Sequence, residues 1–273
     1  MIETNAVPAA TRPAGDRRDD DRLWSFLAAG FELAGPGGQD DRALLMGEGA
    51  RQFAGRTADW AVVRTLVRAG DEFAKRALSD WERARTAKVV LAAVHRFDEN
   101  VRGGFAVRED DFFVATRTNR APADELTEAV LLAAQREHEE AKLPFLGNFL
   151  AGVAFRDGMD RAQVNALVRL AAGLSHRQLC LMAVFSHTER LELRTTDYND
   201  QARVPFAAVA VLQEVFELVR MSLVVQTNGD PITMRDLTPG RMTVAGMGAM
   251  LVKVMGLGHL EPEVIDDLAA LLR

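Results

Sequence analysis

The run richest in metal-ligand side chains is Glu137-His138-Glu139-Glu140. A di-iron bundle sets Glu and His three positions apart on one helix and repeats the pair on a second, so that the groups converge on the cations. Here Gln135 stands three before His138, and no Glu precedes another histidine at that spacing. Adjacent residues on a helix point in different directions. The run therefore reads as a solvated helix face. A second pairing is His176 with Cys180, four apart and so able to share a helix face. A cysteine nucleophile acts as the thiolate and needs a polarising partner and exposure. Cys180 lies between Leu179 and Leu181 in an apolar run and reads as a buried, inert thiol. Gly246, Gly248, Gly256 and Gly258 would suit a phosphate loop only after a strand, in Gly-Lys-Ser/Thr or GxGxxG spacing. Neither spacing occurs, and close helix packing is the better reading. The chain also lacks G-x-S-x-G, H-E-x-x-H and C-x-x-C. No catalytic, cofactor-binding or metal-ligating residue is assigned.

Phosphate recognition would need clustered bases. The best cluster is Arg83, Arg85 and Lys88, with Lys75 and Arg76 upstream, but Asp71, Glu72, Asp80 and Glu82 are interleaved. The formal net charge of −6 gives no overall attraction to nucleic acid. A solvated, mixed-charge helix face is expected there.

These residues have to be positioned by a mainly helical chain. Hydrophobic residues make up 48% and charged residues 26% of 273, which is a globular balance. Ala, Leu, Arg and Glu dominate, and Tyr198 is the one tyrosine, too few β-branched and aromatic residues for a large β-sandwich. One cysteine excludes an internal disulfide and fits a reducing compartment. No apolar stretch reaches the roughly 18 to 20 residues that a membrane span needs. The nearest, Met242–Leu260, holds Lys253, His259 and four glycines. A cytoplasmic protein without a secretory signal is expected.

Residues 1–21 carry Pro8, Pro13, Gly15 and mixed charge, and read as a disordered tail. Leu23, Leu27, Phe31 and Ala34 predict a short helix stopped at Gly35-Pro36-Gly37-Gly38. From Thr57 to Val101, the residues Trp60, Val63, Val67, Gly70, Ala74, Ala77, Trp81 and Ala84 form a long helix seam, ended by Gly103-Gly104. Phe105–Arg120 is a connecting loop. Pro122 opens a helix to about Lys142, Pro144 interrupts, and Phe145–Phe155 resumes it. Asp160 with Gln163 and Ser175 with Gln178 are capping boxes for helices through Leu170 and Phe185. Leu191–Arg194 alternates like a short strand, and Pro205 opens a helix to about Met221. Val224-Val225, a turn at Asn228-Gly229, and Ile232-Thr233-Met234 predict a small hairpin. Helices from Thr243 and from Glu261 to Leu272 finish the chain.

The expected architecture is a helical bundle with a winged-helix-like C-terminal part carrying that hairpin, in a segment from Ser175 to Met234. It divides into a tail at 1–21, a helical region at 22–118 and a helical domain at 119–273. The recognition helix of such a winged helix, Pro205–Met221, would carry Arg220 against Glu214 and Glu217. An acidic, apolar helix suits protein better than phosphate.

The run Glu139-Glu140-Ala141-Lys142-Leu143-Pro144-Phe145-Leu146-Gly147-Asn148-Phe149-Leu150-Ala151, then Leu174-Ser175-His176-Arg177-Gln178-Leu179 and the Thr/Gly stretch Thr243–Gly248, resembles bacterial Abi-alpha-like proteins, linked by name to abortive infection. Ala154-Phe155-Arg156-Asp157-Gly158-Met159-Asp160 resembles instead the TerB-like helical fold of tellurite resistance. Neither resemblance supplies catalytic residues. The expected function is a non-enzymatic regulatory or protein-interaction role, with phage defence implied by the first resemblance and the protein partner unidentified. The alternatives are a winged-helix DNA-binding regulator and an effector enzyme without a recognisable motif.

The tail reading has a direct test. Residues Met1–Asp19 hold no apolar periodicity to offset the entropy of ordering them. Deleting them should leave the melting temperature unchanged, and a fall of several degrees would show that the segment packs on the body.

Overall fold

The computed structural model describes Thr65, Arg68, residues 76–200 and residues 204–273. The tail, the helix at Leu23–Ala34 with its glycine stop, and the seam positions from Trp60 to Ala74 lie outside these. Within the described residues the chain is mainly helical, with one small antiparallel sheet. The helices are α1 (Asp80–Arg102), α2 (Pro122–Arg136), α3 (Leu143–Val153), α4 (Arg161–Gly173), α5 (His176–Ser186), α6 (Phe206–Arg220), α7 (Gly246–Met255) and α8 (Pro262–Leu271). Strands β1 (Val224–Gln226) and β2 (Met242–Val244) lie between α6 and α7. Among the described residues no helix is long and apolar enough to cross a membrane.

Local signals set most of the boundaries. Ser79 is extended, at φ −64° and ψ 160°, and forms a capping box with Glu82. That box starts α1 afresh at Asp80, so the seam expected from Thr57 to Val101 is broken at residues 77–79. Trp81, a seam position, is 68% exposed, whereas Ala84 is buried. Gly103 ends α1, as expected. The boxes at Asp160 and Ser175 form with both reciprocal bonds, and α4 runs on to Gly173. Pro144 occupies the first turn of α3 rather than interrupting a helix, because a missing N–H costs nothing there.

Three expectations fail for identifiable reasons. The helix from Pro122 stops at Arg136, not Lys142, and Glu137 turns extended at φ −71° and ψ 132°. Arg85 Nη1 donates to the Glu137 carbonyl at 2.8 Å, and Lys142 Nζ pairs with its carboxylate at 2.7 Å, so Glu137 is held out of the helix. Leu191–Arg194 forms no strand. The Leu193 N–H turns back to the Leu191 carbonyl, and the Arg194 N–H donates to the carbonyl of Leu272 at 2.9 Å. Lastly, β1 does not pair with Ile232–Met234. Its partner is β2, in the register Val224 with Val244, Val225 with Thr243 and Gln226 with Met242. The Asp236 carboxylate takes the backbone N–H groups of Ile232 and Thr233 and the Thr233 hydroxyl, so those donors are lost to a ladder.

One apolar core runs from Val89 to Leu272, with Phe97, Phe149 and Phe185 fully enclosed. Within it α3 packs against both α1 and α7. Glycines make the close approaches. A Cβ on Gly147 would fall 2.4 Å from the Val89 carbonyl oxygen, and one on Gly152 would fall 2.0 Å from that of Val254. Gly248 of α7 lies equally close to the Leu223 carbonyl, at 2.1 Å for the same construction. Gly256 ends α7 in the left-handed conformation at φ 67°. Of the four glycines expected at close helix packing, only Gly248 makes such a backbone approach; Gly256 stops a helix instead, and a Cβ on Gly246 or Gly258 would meet nothing nearer than 3.7 Å.

Gly152→Ala should destabilise by about 2 kcal/mol or more, because a backbone carbonyl cannot swing away as a side chain can. Gly173→Ala meets nothing within 4 Å and should melt no lower than wild type. Equal thermal melts for the two variants would overturn the crossing of α3 and α7.

Candidate functional site

The two chemistry-bearing features of the sequence meet at one groove. It is lined by Glu139, Glu140 and Ala141 from the α2–α3 connection, by Ser175, His176 and Arg177 at the start of α5, and by Glu214 of α6. The groove exists because α2 ends early. The Glu137–Glu140 run is thus a loop and not the helix face expected of it, and its four side chains have separate fates.

Glu137 turns inward. Its carboxylate pairs with Lys142, whose side chain is 2% exposed, and Lys142 Nζ also donates to the Ala172 carbonyl at 2.8 Å. Burial opposes ionisation of Glu137, but the Lys142 hydrogen bond, with the N–H groups of Glu139 and His138, holds its carboxyl below the usual value. His138 is exposed. Glu139 reaches the N-terminus of α5, where its carboxylate accepts the backbone N–H of His176. A negative charge is favourable at that positive helix end. Glu140 pairs with Lys88 of α1 at 2.6 Å.

On the α5 side, the His176 ring stacks on Phe145, with centroids 5.6 Å apart and planes at 14°. Its two ring nitrogens lie 3.7 and 4.0 Å from Cys180 Sγ. The sequence pairing of His176 with Cys180 is therefore real in space. Cys180 is nonetheless buried, and burial, followed by the nearby Glu139 charge, pushes its thiol up to about 11. Such a thiol stays protonated at neutral pH and is a poor nucleophile. Arg177 grips Glu214 with two bonds, at 2.9 and 2.6 Å. Gln178 and Gln213 both donate to Glu217. The acids of α6 are thus tied to α5 and to their own helix. Among the described residues no group of three or more His, Cys, Asp or Glu is placed to hold a metal ion.

The bases singled out in the sequence are likewise engaged. Arg76 pairs with Glu128 at 2.7 Å, Arg85 with the Glu137 carbonyl, Lys88 with Glu140, and Arg83 reaches the Leu78 carbonyl at 3.5 Å. Lys75 lies outside the described residues.

Sequence reasoning overlooked a second surface. Val204, Val209, Leu212, Met234 and Arg235 line an apolar groove between α6 and the β1–β2 connection. Phe206, one turn before Val209 on α6, is 88% exposed, and Ile232, two residues before Met234, is 87% exposed. Phe206 follows Pro205 at the helix start and Ile232 sits in a Pro/Thr turn, so each read as ordinary patterning. A comparison with protein-family models, curated proteins and solved structures finds no match.

Two measurements check this electrostatic picture. Because the folded carboxyl of Glu137 titrates below its ordinary value of 4.5, the unfolded chain takes up the proton first. The Glu137 contribution is therefore complete above about pH 4.5 and is lost as pH falls through the lower folded value. Glu137→Gln should flatten that acid limb and cost about 3 kcal/mol at neutral pH, since Lys142 is left buried without its anion. Adding Lys142→Met should restore much of the loss. An unchanged acid limb in denaturant titrations would remove Glu137 from this role. Separately, Cys180 should resist a thiol-reactive dye at pH 7 in the native protein and react at once in denaturant. Rapid native labelling would contradict its burial.

Proposed function

We propose that the chain is a non-enzymatic interaction protein that receives a protein partner at the apolar groove beside α6. The observation that carries this reading is the exposure of Phe206 and Ile232 next to a cleft lined by Val204, Val209, Leu212 and Met234. Scattered apolar residues on a surface need no explanation. Two large ones almost fully in water beside an apolar cleft match the pattern of a contact surface.

Ile232 is presented by a fixed turn. Asp236 takes the Ile232 and Thr233 N–H groups, the Thr233 hydroxyl and the Asn199 amide, and these bonds, the Asn199 one foremost, lower its carboxyl below the usual range. A rigid presenting turn lowers the ordering cost of binding. The polar groove offers a less suitable centre for chemistry, since the Cys180 thiol beside His176 is buried and the groove's carboxylates are already paired. A role in phage defence rests on the Abi-alpha-like resemblance and would be the process that such docking serves.

The test compares partners captured from the host by the wild-type chain and by the Phe206→Ser/Ile232→Ser variant. The variant should keep the wild-type melting temperature, because both side chains are exposed, and should lose a specific partner. Identical captured sets, or nothing above background with wild type, would overturn the reading.

A further inference from the structure

We draw no further inference here: the strongest candidate, the apolar groove lined by Val204, Val209, Leu212 and Met234 beside Phe206 and Ile232, belongs to the surface already described, and nothing in the structure shows what covers it.

Discussion

A lysine ammonium sealed inside a helical bundle must find oxygen atoms, and much of this structure follows from where Lys142 finds them. Its partners are the Glu137 carboxylate and the Ala172 carbonyl near the end of α4. An unpaired ammonium at that depth would cost several kcal/mol. Pairing it fixes three things at once. It ends α2 at Arg136, it places the start of α3 beside the carbonyl end of α4, and it turns the intervening loop outward. Glu139 can then reach the first N–H of α5, and Glu140 can reach Lys88 on α1. The polar groove is the outer face of this arrangement.

That groove separates the presence of reactive side chains from reactivity. His176 shares the groove with the carboxylates of Glu139, Glu140 and Glu214 and lies 3.7 Å from the buried Cys180 thiol, yet each group is committed. His176 is stacked on Phe145, Cys180 is held protonated by burial, and Glu214 is occupied by Arg177. Spacing along a helix brings groups together; the solvent and charge around them decide what they can do.

Signals that act within one turn of chain were the legible part. Ser175 with Gln178, Asp160 with Gln163, and Gly103 set helix ends through bonds to their near neighbours, Pro122 sets one through its fixed φ where no N–H is needed, and those ends stand where the residues predict them. Signals that depend on a distant partner were not legible. Glu137 leaves its helix for Arg85 and Lys142, and the former lies 52 residues away. Val224 pairs with Val244 across a long connection because Asp236 has already taken the donors of Ile232 and Thr233. The β-branched pair Val224-Val225 marks a strand, but proximity in sequence points to Ile232–Met234 and not to its partner Met242–Val244. Of the two grooves, the polar one was foreshadowed by its residue types. The apolar one was not, since exposure is a property of the folded surface.

The glycine crossings of α3 carry a consequence for how this fold opens. At Gly147 and Gly152 the hydrogen standing in for a side chain faces a carbonyl oxygen of α1 and of α7 respectively. Such Cα–H to oxygen contacts are worth only about 0.5–1 kcal/mol each. Their geometry matters more than their strength, because backbones this close leave no side-chain layer to shear. The core amides of α1, α3 and α7 should therefore exchange with solvent as one cooperative unit, through unfolding of the whole core rather than fraying of any one helix.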